Sequence, residues 1–197
     1  LGPAEDYVVQ VKGTRLSDNS VREVAVIATG LRPRPDFRVA QLEAKAWSIR
    51  VDPKTRAILQ LGRLEATVQI DATDVDRFVA GKTFLGRVQL AEPRVSFPGF
   101  NRAEIAAVAT FTGLEAYGVN LSPRVPILAR GVLIATGPRL RLEVTSIAAA
   151  GVTLPPVTHE WVESAINPLA DLSGLPVPVR FGSFRGSQAA ITAEVIG

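Results

Sequence analysis

Arg63-Leu64-Glu65-Ala66-Thr67-Val68-Gln69-Ile70-Asp71 alternates without a fault. Successive side chains of an extended chain point to opposite faces, so Leu64, Ala66, Val68 and Ile70 share one side. Arg63, Glu65, Thr67, Gln69 and Asp71 share the other. A strand that is apolar on one face and charged on the other belongs to a sheet dry on one side and wet on the other, and such sheets are commonly antiparallel. The pattern returns where Leu140, Leu142 and Val144 alternate with Arg139, Arg141, Glu143 and Thr145. Phe37 to Val51 is longer and apolar on both sides: Trp47, Ile49 and Val51 on one, Leu42, Ala44 and Ala46 on the other. Val21 to Thr29 and Gln188 to Ile196 also read as strands, and Asn101 to Ala109, which fits either element, is taken as one. Gly and Pro punctuate between them, at Gly30 to Pro35, Asp52-Pro53, Gly137-Pro138 and Gly186.

Two segments change period. Thr73 to Gly81 places Val75, Phe78 and Val79 at helical spacing. Thr73 suits the cap, Asp76 the return hydrogen bond of a capping box, and Gly81 the C-terminal end. From Thr158 to Leu172, Trp161, Ala165, Ile166, Leu169 and Leu172 form a second stripe. Pro168 interrupts it, and Gly174 and Pro176 end it. The fold class expected is mainly β (α+β): a strongly curved antiparallel sheet wrapping the longer C-terminal helix, plus a short helix near 74–80. No linker or repeat divides the 197 residues, which read as one domain with residues 1–6 as a loose tail.

Composition narrows the chemistry. The chain holds no cysteine and one histidine, His159. Thiol nucleophiles, disulfide frameworks and two-histidine metal sites are excluded. No apolar run reaches about 18 residues, so no helix spans a membrane. Net charge is +3, from 22 basic and 19 acidic residues that are interspersed. No basic stripe or aromatic platform for nucleic acid stands out.

The remaining candidates each have a plainer alternative. His159 is either a general base or a polar residue in a helix's first turn, and it has no identifiable nucleophile beside it. Asp71, Asp74 and Asp76 lack the spacing of a calcium loop and suit a helix N-terminus instead. Arg32, Arg34 and Arg38, around two prolines, are either a phosphate clamp or a solvated turn. The two apolar stripes are either core or cavity lining.

The order of signals resembles the LmeA-like phospholipid-binding family of bacterial cell-envelope proteins. The residues that carry the resemblance are Val21 to Val26, the strand through Ala46 to Val51, and Leu64 to Ile70 running into Asp71 to Phe78. Ile166-Asn167-Pro168-Leu169, Leu175 to Phe181 and the final strand pair add to it. It spans roughly residues 21–197.

The resemblance implies a tubular lipid-binding fold that binds phospholipid or another envelope lipid without catalysis or cofactor. Acyl chains would lie between the sheet and Val75, Phe78, Val79, Trp161, Ala165, Ile166, Leu169 and Leu172, with Arg32, Arg34 and Arg38 at the headgroup. A mildly cationic surface would also favour an anionic membrane surface as partner. The chain begins Leu1-Gly2-Pro3 and contains no methionine. A removed export signal or a truncated start explains this, and the expected location is the periplasm or cell envelope. Two other readings stay open. One is a structural or protein-interaction module with a solid core; the other is a hydrolase or transferase built on carboxylates and His159.

Overall fold

The computed structural model describes residues 3–15, 17–35, 37–55, 57–80, 82–84, 88–111, 114–116, 119–121, 123–173 and 178–197, with backbone alone at 34, 83, 84, 111, 114–116, 119–121 and 165. Gly81, Gly174 and Pro176, expected as helix stops, lie outside the described residues, as do Leu175 to Val177.

The elements run β1 (Asp6–Arg15), β2 (Ser20–Arg34), β3 (Phe37–Val51), β4 (Ile58–Gln60), β5 (Arg63–Asp71), α1 (Ala72–Ala80), β6 (Thr83–Phe84), β7 (Val88–Gly99) and β8 (Arg102–Phe111). Then come β9 (Leu114–Ala116), β10 (Val119–Leu121), β11 (Arg124–Thr136), β12 (Arg139–Ala149), β13 (Val152–Thr153), α2 (Val157–Ile166), β14 (Ala170–Asp171), β15 (Arg180–Gly186) and β16 (Ala190–Ile196). The fold is mainly β, and the strands are antiparallel. They build two seven-stranded sheets rather than one. The first has the order β1-β2-β3-β5-β16-β15, with β4 on β3. The second has the order β13-β12-β11-β8-β7-β6, with β14 on β12, and β9 and β10 pair apart.

The split follows from the pairing of the last hairpin. β16 lies against β5, Ile191 opposite Ile70 and Val195 opposite Ala66, so the chain returns to its first sheet after building the second. α1 joins the sheets directly after β5 and packs on β3, β5 and β7; α2 lies against β12. One cluster of buried apolar residues spans both sheets and both helices, from Ala28 and Leu42 through Phe78 to Leu142 and Ile166.

Irregularities bend the long strands. β11 bulges between Arg130 and Gly131, where a Cβ on Gly131 would stand 2.6 Å from the Glu143 carbonyl oxygen. Bulges raise local twist and turn a strand. The two sheets approach closely at Gly186: a Cβ there would lie 3.0 Å from the Phe100 carbonyl oxygen and 3.1 Å from Phe97 Cβ.

Several expectations are corrected. Residues 3–6 are no loose tail. The Glu5 N–H donates to the Thr29 carbonyl at 3.0 Å, the Arg32 N–H donates to the Pro3 carbonyl at 2.8 Å, and β1 starts at Asp6. The longer helix stops at Ile166, six residues short of the expected end, because Asn167 is extended ahead of Pro168. Asp76 does not close a capping box; its Oδ1 accepts from the Val95 N–H at 2.5 Å and ties α1 to β7.

Candidate functional site

α1 forms with the expected spacing but begins at Ala72, so Thr73 lies inside its first turn and does not cap it, and its apolar side faces inward. Phe78 and Val79 are buried and Val75 packs against them. Phe78 meets Phe37 of β3 edge to face, with ring centroids 5.4 Å apart. This face closes one wall of a wholly apolar cavity of about 60 Å³ between the sheets. Ile70 and Ile191 of the first sheet line it, as do Val95, Phe97, Ala103, Ile105, Leu133, Leu140 and Leu142 of the second. Ile166, Leu169 and Ala170 complete it. A void of that size and lining stays dry.

The structure therefore brings together Val75, Phe78, Val79, Ile166 and Leu169. Leu172 is half-buried beside Pro138, outside the cavity lining. The Ala165 side chain is outside the description. Trp161 is also outside the lining and is 42% exposed. The inward stripe of α2 is instead Thr158, Val162 and Ile166 at four-residue spacing. Leu169 and Leu172 are not helical, and including them in a helical stripe turns its phase by one residue. Thr158, a polar residue that donates its hydroxyl to the Pro155 carbonyl at 2.7 Å, masked the true phase.

Residues 166–169 hold the cavity roof to β12. Asn167 Oδ1 accepts from the Leu142 N–H at 2.8 Å, and its Nδ2 donates to the Leu142 carbonyl at 2.8 Å. Glu163 Oε1 accepts from the Val144 N–H at 2.7 Å, and the Leu169 N–H donates to the Leu140 carbonyl at 2.9 Å. These groups satisfy the free edge of β12, which buried backbone requires.

From this cavity an apolar surface continues along the inner face of the first sheet. Directly opposed residues of antiparallel strands share a face. One row is Tyr7, Ala28, Leu42, Val68 and Ala193. The next is Val9, Val26, Ala44, Ala66 and Val195, and the third is Val11, Val24, Ala46 and Leu64. Every residue in the three rows is apolar or Tyr, and the middle of the face is floored by alanines. Ala28 is sealed and Leu42 is 8% exposed, whereas Ala44, Ala46, Ala66, Val24 and Val26 are half-buried. Val9 is 57% exposed. Among the described residues no large side chain of the core is completely sealed. The opposite face is more polar: Glu43, Lys45, Glu65, Thr67 and Glu194 surround an open hollow of about 380 Å³, and Val8, Ile27 and Ile196 are exposed on the same side.

Arg38 is already occupied. Its Nη1 donates to Asp74 Oδ2 at 2.9 Å, and its Nε and Nη2 donate to Glu5 at 3.1 and 3.2 Å. Asp74, whose side chain is 1% exposed, also accepts from Arg77 at 2.8 Å. The Arg38 hydrogen bond holds the Glu5 carboxyl below its ordinary range, and the two carboxylates keep Arg38 protonated more firmly than usual. Arg38 thus ties the N-terminal segment, β3 and α1 together. Arg32 is exposed near Glu5, and the Arg34 side chain is outside the description. His159 sits in the first turn of α2. Among the described residues no group of three or more His, Asp or Glu is placed to hold a metal ion.

The sequence model of the LmeA-like phospholipid-binding proteins matches residues 1–196. The chain belongs to the LmeA-like phospholipid-binding family. No curated protein and no solved structure gave a significant match. In this member of the family, no helix among the described residues is long and apolar enough to cross a membrane.

Proposed function

We propose that this protein binds a phospholipid or related cell-envelope lipid without catalysis. The acyl chains start beside α1 at the apolar cavity and run out along the alanine-floored inner face of the first sheet. The observation that carries this reading is the half-open face itself: rows of apolar residues run on beyond the point where the core closes over them. Soluble proteins rarely leave such a surface without a partner.

The cavity alone is too small. Ligand sites run to about 300–1,000 Å³, and this cavity is about 60 Å³. A chain must therefore rest on the open face, or part the sheets where they meet the helices. Burial contributes about 0.8 kcal/mol per methylene, so about ten methylenes give about 8 kcal/mol, from which the cost of ordering the chain is subtracted. We place the headgroup at the α1 end near Arg32, because Arg38 is held by Glu5 and Asp74. The periplasm or cell envelope is the location we propose, a reading that such a ligand supports.

Uptake of a fluorescent phospholipid tests the reading. Val24→Glu puts a charge on the inner face and should abolish uptake. Ala25→Glu, one residue along and on the polar face, should leave it intact. Equal uptake by both variants, or no uptake by the wild type, would refute the proposal.

A further inference from the structure

We propose that β1 is a self-association edge, on which two copies of this chain pair antiparallel about Val9 and join their first sheets. β1 ends its sheet, and all ten of its residues are exposed. Val9 is 57% exposed, Val11 54% and Val8 45%. Sheet edges are usually blunted by proline, short length or inward charge. From Asp6 to Lys12 this edge has no proline, and Tyr7, Val9 and Val11 occupy its inner face.

The sequence of the edge complements itself. A two-fold axis through Val9 sets Asp6 opposite Lys12 of the second copy, Tyr7 opposite Val11, and Val8 opposite Gln10; in the single chain Asp6 Oδ1 accepts from the Tyr7 N–H at 2.8 Å and Lys12 lies 3.4 Å from Glu23, exposed contacts that pairing exchanges for those across the interface. Opposite charges and aromatic–β-branched pairs are favourable when directly opposed across strands. A one-residue slip would face outward-pointing backbone groups with inward-pointing ones and break the ladder. A two-residue slip puts Lys12 opposite Ala4 or Val8 and leaves Asp6 without a basic partner. The axis stands perpendicular to the sheet, so the two inner faces lie on one side and their apolar rows become continuous. The interface is isologous and closes at two copies.

Pairing through β1 does not depend on lipid binding, and its test is made without lipid. Sedimentation of the purified chain over a dilution series should show a reversible dimer. Val9→Lys, at an exposed position, should leave a folded monomer with an unchanged far-ultraviolet spectrum. Asp6→Lys and Lys12→Asp should each weaken the dimer about tenfold, because both ends of the interface then carry like charges. An equimolar mixture of these two variants should restore association, since opposite charges then meet at both ends. The proposal is overturned by a wild type that stays monomeric at every concentration. A dimer indifferent to Val9→Lys, or a mixture no tighter than its components, also overturns it. Vesicle binding through β1 with no self-association would assign the edge to a membrane surface instead.

Discussion

Asn167→Ala removes two hydrogen bonds at once. The Asn167 side chain both accepts from the Leu142 N–H and donates to the Leu142 carbonyl, each at 2.8 Å. It acts as one residue of a neighbouring strand where β12 has none. Each bond contributes about 1 kcal/mol net, and an unsatisfied buried backbone group costs about 1–3 kcal/mol. Asn167 is half-buried, so water repairs part of the loss. The expected destabilisation is about 2–3 kcal/mol. For a domain of this size that lowers Tm by about 5–10 °C, measurable by thermal denaturation followed by circular dichroism. Asn167→Asp separates the two bonds. It keeps the acceptor for the Leu142 N–H but sets a carboxylate oxygen against the Leu142 carbonyl, so it should be at least as harmful as the alanine. Ile166 and Leu169, on either side, line the cavity, so both variants should also exchange bound lipid faster. A Tm loss under 2 °C for the alanine, or an aspartate that behaves like the wild type, would refute the strand-mimic account.

Ala103→Val directs two added methyl groups at the void; at about 24 cal/mol per Å³, filling 60 Å³ is worth at most about 1.4 kcal/mol. The variant should melt higher and take up less fluorescent phospholipid, and a melting point below that of the wild type would show that the void cannot be filled from this wall. Asp74→Ala leaves Arg38 and Arg77 without their buried partner and should cost about 2 kcal/mol in urea unfolding, less than a fully buried pair because both arginines reach water. Glu5, Asp18, Asp52 and Asp171 have carboxyls held below their ordinary values, Glu5 by Arg38, Asp18 by the Ser20 hydroxyl, Asp52 by the Lys54 N–H and Asp171 by Ser173. Their contribution is therefore complete above about pH 4.5 and is lost as pH falls through the folded-state values. Melting temperatures across that range should fall with acid, and Arg38→Gln should flatten the part due to Glu5.

Legibility in the sequence tracked the regularity of the strands. β5 and β12 have unbroken alternation and emerged with their inward residues correct. So did α1, where Val75, Phe78 and Val79 sit as their spacing predicts. β7 and β11, two of the four long strands of the second sheet, do not show in the sequence because proline and bulges reset the period: Glu92-Pro93 in one, Pro126 and Arg130-Gly131 in the other. The wall those strands add to the cavity, Phe97, Leu133 and their neighbours, was lost with them. The division into two sheets was also invisible, since register depends on partners far away in the chain. The stripe placed on Trp161 failed for a local reason, the extended residue before Pro168 ending the helix early.

The most direct measurement is photo-crosslinking with a phospholipid carrying a photoactivatable group in the middle of one acyl chain, followed by residue-level mapping of the adducts. The account predicts adducts on the inner face, at Val24, Val26, Ala44, Ala46 and Ala66, competed away by unlabelled phospholipid. Adducts at Ala25, Lys45, Glu65 or Thr67 on the opposite face, or none above the competed background, would contradict it.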